Sequence, residues 1–286
     1  MKISGFTIIK NAIINDYPVV EAINSILPVV DEMIVSVGDC DDDTRKLIEN
    51  ISSPKIKIID SVWDKTIREG GKILAIETDK ALSYISADSD WAFYIQADEV
   101  VHEKYHSAII EAAKKYKDDK RVEGLLFKYL HFYGTYDYVG DSRKWYHREI
   151  RIIRNDSSIH AYKDAQGFRK GKTKLNVKLI DAYIYHYGWV KTEAQMKLKI
   201  KNFSRMYHDD ARANLNADIF NYADFDSLQK FTDSHPVVMQ KRIAEKNWHT
   251  ELDITKKKFS LKDRLLYYFE KLTGRRLFDF KNYKII

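Results

Sequence analysis

At 286 residues, 44% hydrophobic and 31% charged, the chain is long enough to bury a substantial core and has a globular composition. No apolar run approaches the ~20 residues that span a bilayer, and Met1 to Lys10 lacks the apolar centre of a secretory signal, so the expected location is the cytoplasm. Cys40 is the single cysteine, which excludes an internal disulfide framework and any multi-cysteine metal site. The net charge of +6 resides in residues 241–286, which hold 13 Lys or Arg against 6 Asp or Glu; a basic tail on a nearly neutral body argues against a nucleic-acid-binding domain throughout.

Ile3 to Ile9 reads as a strand, and Pro18 opens a helix with apolar residues at helical spacing from Val19 to Leu27. Met33 to Val37 predicts a second strand, followed by the acidic loop Asp39 to Asp43, a helix with Leu47, Ile48 and Ile51, and a short strand at Ile56 to Ile59. Gly70-Gly71-Lys72 starts a longer helix, which leads to the strand Trp91 to Ile95. Four β and α alternations in the first hundred residues predict a mainly parallel sheet covered by helices on both faces. After a helix at about residues 103–116, aromatic-rich strands are expected at Val122 to Tyr133, Trp145 to Ile153 and Asp181 to Val190. From Thr192 the chain reads as helical, with Ser260 to Asp263 as a capping box for the last helix. The expected organisation is residues 1–190 as one domain, divided into halves at about 100, and residues 191–286 as a helical, basic C-terminal extension.

The strand at Trp91 to Ile95 runs into Gln96-Ala97-Asp98-Glu99, which places two carboxylates at a strand's carboxyl end, where open α/β sheets bind ligands. Oxygen ligands there suit Mg²⁺ or Mn²⁺ on a diphosphate; equally, Asp98 and Glu99 can open the turn and cap the next helix. The Asp39 to Asp43 loop stands at the same sheet edge. It lacks the glycine and glutamate of an EF-hand, and its carboxylates suit a ribose or base, or else a solvated helix start. Lys72 is placed to reach a phosphate, although no glycine-rich dinucleotide or phosphate-loop pattern is present. His186 sits in the aromatic run Tyr183 to Val190, as a core residue or a ligand.

This order of elements resembles family 2 glycosyltransferases of GT-A fold over residues 3–190: a strand into Asp39, a helix behind Gly71, an apolar strand into Gln96-Ala97-Asp98-Glu99, and a late His186-Tyr187-Gly188. The resemblance implies a GT-A-like α/β fold and transfer of a sugar from a nucleotide-diphosphate donor, most simply a UDP-sugar, to a glycan or lipid-linked acceptor with inversion. It implies a divalent metal on Asp98 and His186, donor contacts from Asp39, Asp43, Lys72, Gln96 and Asp98, and an acidic catalytic base for which Asp164 is the first choice, with Glu99 and Glu149 as rivals. Gln96 stands where the family usually has the first aspartate of Asp-x-Asp, and an amide is a poorer metal ligand than a carboxylate. A degenerate binder of sugar nucleotide or glycan, and a nucleotidyltransferase, are the alternative readings. The tail stripe Leu261, Leu265, Phe269 and Leu272 among basic residues suits either packing against the domain or a second subunit, or peripheral contact with an anionic membrane.

Overall fold

The structure, a computed structural model, describes residues 1–250 and 252–286. In its first hundred residues, apolar runs form β1 (Ile3–Ile9), β2 (Glu32–Val37), β3 (Ile56–Asp60) and β4 (Trp91–Tyr94), separated by α1 (Val19–Ile26), α2 (Thr44–Glu49) and α3 (Lys72–Leu82). Every residue of β1, β2 and β4 is buried, as expected of strands covered on both faces. Phe93 packs with α1, α2 and α4 (His106–Tyr116) on one face, whereas the next residue, Tyr94, packs with α3 on the other.

Beyond Asp98 the chain forms β5 (Glu99–Val101), then after α4 β6 (Gly124–Tyr133), β7 (Tyr138–Gly140), β8 (Arg148–Arg154), β9 (Ile159–Tyr162), β10 (Gly167–Lys170) and the 17-residue β11 (Thr173–Trp189). The main path of the sheet runs β3-β2-β1-β4-β8-β6-β11-β10-β9. Strands β1 to β4 run parallel to one another, but β8 lies antiparallel between β4 and β6, and β11 carries β5 and β10 antiparallel. The sheet is therefore mixed, which corrects the expectation of a mainly parallel one. Parallel neighbours need a crossover connection, and after α4 most successive strands are joined by short loops that reverse the chain.

The last segment comprises α5 (Glu193–Ser204), α6 (Asp210–Asp218), β12 (Leu228–Lys230), α7 (Gln240–Ala244), α8 (Leu261–Thr273) and β13 (Tyr283–Ile285). It is helical only in part: β12 pairs with β7, and β13 returns to the main sheet, parallel to Leu175–Val177 of β11. Helix α5 opens on a capping box, in which Thr192 accepts from Gln195 N–H and the Gln195 side chain accepts from Thr192 N–H. At the expected box before α8, Ser260 Oγ accepts from Asp263 N–H and donates to the Asp263 carboxylate. Because β1, β2 and β4 run in one direction, their carboxyl ends bring Lys10, Asp39 and Asp98 to the same edge.

Candidate functional site

The neighbours Asp98 and Glu99 diverge completely. Glu99 begins β5 opposite His186, is fully buried, and binds Arg151 through two contacts of 2.8 and 2.7 Å. Tyr129 donates to Glu99 Oε1 at 2.7 Å and the Gln96 N–H to Oε2 at 3.1 Å, so both oxygens are engaged. A carboxylate so committed has no lone pair turned to an incoming hydroxyl, and Glu99 locks β5 to β8 instead of serving as a base. Arg151 spends its charge there. Arg154, on the opposite side of β8, donates to the carbonyls of Tyr116, Lys117, Asp119 and Val122 at and beyond the end of α4 and lies 4.5 Å over the Trp91 ring.

Asp98 faces the edge. Its Oδ2 accepts from Lys199 Nζ at 3.0 Å and stands 3.6 Å from His186 Nε2; burial alone would raise its pKa, but these two partners hold it well below the usual carboxylate range. Hydrogen-bond partners assign the histidine tautomers. His131 Nε2 lies 2.7 Å from the Tyr146 carbonyl, which only accepts, so Nε2 carries the proton. Burial keeps the His131 pKa well below its usual value, so the ring is neutral and its Nδ1 accepts from His186 Nδ1 at 3.1 Å. His186 is thereby oriented with Nε2 toward Asp98. The bulge after His186 brings Gly188 against the same carboxylate: a Cβ there would lie 2.5 Å from Asp98 Oδ2 and 2.8 Å from His186 Nε2, so only glycine fits.

Lys199, from α5, is buried and held in place by the Gly188 carbonyl at 2.8 Å as well as by Asp98. Its ammonium lies 4.9 Å from the centre of the Tyr17 ring, and Lys191 lies 5.4 Å from that ring while donating to the Asp16 carbonyl. Burial first, and Lys199 second, lower the Lys191 pKa to about 7. Lys199 and Lys191 escaped sequence reasoning, because nothing in a lysine-rich stretch marks which ammonium will turn inward. The only available cue was the Thr192–Gln195 capping box, which starts α5 and so fixes its inward face.

Asp39 accepts from Lys10 and, at 3.0 Å, from Trp63 N–H, with Lys65 at 3.5 Å. Burial would raise its pKa, but Lys10 and the Trp63 N–H bring it down to about 2. Asp42 shapes the neighbouring loop by accepting from Ile13 N–H and Ile14 N–H at 3.0 and 2.9 Å. Asp43 is exposed at the start of α2 and makes no cap bond, and Lys72 is exposed at the start of α3. Gly71 has φ of 69°, and a Cβ there would lie 2.7 Å from Asp164 Cβ and 2.6 Å from the Tyr207 ring. The start of α3 therefore packs against Asp164, which accepts from the Tyr207 hydroxyl at 2.9 Å and stays partly exposed. The Gln96 side chain donates to the Ala165 carbonyl at 3.4 Å. Glu149 is buried below this loop, takes a 3.0 Å bond from Gln166, and has an unpartnered Oε2; burial raises its pKa to about 8.

A scan against models of protein families gives no match, and a search of curated proteins gives none either. Solved structures do overlap with the fold. One is S. aureus TarS 1–349, at 14% identity and TM-score 0.39, covering 76% of this chain and 71% of that one. Another is 4-diphosphocytidyl-2C-methyl-D-erythritol synthase from Anaerococcus prevotii, at 11% identity and TM-score 0.40, covering 69% and 94%. A third is glucosyl-3-phosphoglycerate synthase from Mycobacterium tuberculosis, solved with Mn²⁺, UDP and phosphoglyceric acid, at 20% identity and TM-score 0.30, covering 46% and 43%. These overlaps are partial.

The residues here do not fit a divalent metal well. Among the described residues, no three His, Cys, Asp or Glu side chains stand together as a metal-ligand group. Asp98 and His186 supply two donors, but the Asp98 oxygen facing His186 is already bound by the Lys199 ammonium, and the amide of Gln96 turns to the Ala165 carbonyl. An ammonium held beside the carboxylate repels a second cation at short range.

Proposed function

We propose that the chain transfers a sugar from a nucleoside-diphosphate donor, tested first as a UDP-sugar, to a hydroxyl of a glycan or lipid-linked acceptor. The observation that carries this reading is the convergence at one sheet edge of two ionised, held carboxylates, Asp39 and Asp98, with the buried ammonium of Lys199 between Asp98 and Tyr17. In this reading Asp39 accepts hydrogen bonds from the nucleoside, assisted by the exposed Asp43, and Gln96 and Asp98 bind sugar or ribose hydroxyls. Lys199 meets the charge of the departing diphosphate in place of the metal that the resemblance implies, with Lys191, which shares the Tyr17 ring, and the exposed Lys72 in supporting roles. His186, held by His131, fixes the Asp98 carboxylate.

Inversion requires the acceptor oxygen to attack the anomeric carbon as the bond to the diphosphate breaks, with its proton passing to a base. Asp164 is the candidate best supported by geometry, being partly exposed and held by one hydroxyl, whereas Glu99 is saturated by Arg151 and Glu149 holds its own proton below about pH 8. The test is calorimetric titration of UDP and GDP into wild type and Lys199→Met, with a chelator or with Mn²⁺. Wild type is expected to bind one nucleotide in chelator with little change on adding Mn²⁺, and Lys199→Met to bind at least ~10-fold more weakly, the loss of one charge-assisted contact. Binding only with Mn²⁺ would assign the charge to a metal and remove Lys199 from that role. Failure of both nucleotides under both conditions would overturn the donor site, and binding without sugar release from any UDP-sugar would favour the degenerate binder.

A further inference from the structure

Helix α8 presents its apolar stripe to solvent. Leu261, Leu265, Tyr268 and Leu272 are 82%, 74%, 60% and 87% exposed, and at 100° per residue they fall within about 60° of one another around the helix. The inward face is made by Tyr267, whose hydroxyl donates to Asp141, and by Glu270, which pairs with Arg143 and Arg276. Among the described residues, packing of this stripe against the domain is therefore not taken up: a different side of the helix does the docking. Both acids of α8 are also occupied, Asp263 by its cap and Glu270 by its arginines. Lys262 and Arg264 flank the stripe on its two sides and make no ion pair among the described residues.

Just past the helix, Phe278 is 88% exposed at φ of 55°, a left-handed backbone that a phenylalanine rarely adopts. Phe280 is 71% exposed, with the ammonium groups of Lys163 and Lys174 5.9 and 5.6 Å from its ring centre. Lys163 immediately precedes Asp164. Large apolar side chains turned outward and bordered by cations, with the nearby acids Glu270 and Asp279 already paired with Arg143 and Arg276, match the interface of an anionic bilayer, where rings and leucines enter the headgroup boundary and lysines meet phosphate. A second copy of this chain would bring the same cations into mutual repulsion across a two-fold axis.

We propose that α8 and the Phe278–Phe280 loop form a peripheral docking face for anionic lipid, which sets the Lys163–Asp164 loop next to the bilayer. No helix among the described residues is long and apolar enough to cross a membrane, so the contact lies in the interface plane. The proposal stands on this surface alone and does not depend on the transferase reading.

The test is sedimentation of the full chain with vesicles of phosphatidylcholine alone or of phosphatidylcholine and phosphatidylglycerol in equal parts, alongside light scattering in solution. Wild type is expected to bind only the anionic vesicles and to release in high salt. Leu265→Glu/Leu272→Glu should weaken binding by at least ~10-fold, and Lys262→Glu/Arg264→Glu by about 5-fold per charge. The four side chains are largely solvent-exposed, so melting temperatures should stay within about 2 °C of wild type, which separates lost docking from lost folding. A wild type that ignores anionic vesicles would overturn the proposal. A dimer in solution that Leu265→Glu/Leu272→Glu dissociates would assign the face to a second copy, which also overturns it.

Discussion

Two neighbouring regions, the interior where β5 meets β8 and the sheet edge where β4 ends, each hold one carboxylate of the Asp98-Glu99 pair, and they treat it oppositely. The interior encloses Glu99 with the two-pronged guanidinium of Arg151 and a tyrosine hydroxyl, which gives a closed set of partners. The edge gives Asp98 a single ammonium, one histidine edge and a glycine, an arrangement that holds charge without enclosing it. Chain adjacency says nothing about shared chemistry, because consecutive residues leaving a strand point to opposite sides. One carboxylate holds the fold and the other is left available.

The sharpest way to break this comparison is Arg151→Met, which leaves Glu99 buried and unpaired. Removing one partner of a buried pair costs roughly 3–5 kcal/mol, so denaturant unfolding should show a loss of that size, with nucleotide affinity unchanged below the melting transition. Asp98→Asn should show the reverse pattern, a smaller loss of stability and no detectable UDP binding. If the two variants behave alike, the division of labour between the carboxylates is wrong.

A second effect, of comparable size, concerns Glu149. Its pKa is about 8 in the folded protein, against an ordinary value of 4.5, so the folded chain holds a proton that the unfolded chain has released. Its contribution is therefore complete below pH 4.5 and is lost as the pH rises through about 8, on the order of 5 kcal/mol in all. Lys191, lowered to about 7, acts in the opposite sense above that pH, so the informative quantity is the difference between wild type and Glu149→Gln. Unfolding free energies measured from pH 4 to 9 should fall for wild type relative to the variant; parallel curves would show that Glu149 ionises normally. The smallest effect separates the acidic loop: Asp39→Ala should weaken UDP by about 10-fold and Asp43→Ala by less than about 3-fold, because only Asp39 is held by Lys10 and Trp63.

Much of the first half was legible because each buried strand is a short continuous apolar run. The expected strands at Ile3–Ile9 and Ile56 onward start where the observed ones do, and Trp91 opens β4. The second half was less legible for a physical reason. Strands β5, β7, β9 and β10 are three or four residues long, too short to show a period of two, and β11 extends back to Thr173 through a polar stretch that the aromatic run did not cover. Asp39, Asp98 and His186 could be picked from sequence because they end recognisable strands or sit in a marked aromatic run. Lys199 and Tyr17 could not, since their importance comes from a cation lying over a ring 182 positions away in the chain. Strand alternation puts Arg151 and Arg154 on opposite sides of β8, but that Glu99 is the partner of Arg151 emerged only from the structure.

The most direct measurement is a crystal of the wild type soaked with UDP and MnCl₂, with data collected to locate manganese by its anomalous scattering. The expected result is a diphosphate beside Lys199 Nζ, the nucleoside near Asp39, and no manganese peak on Asp98. Manganese bound to Asp98 with Lys199 displaced, or a nucleotide bound away from this edge, would contradict the assignment of the site.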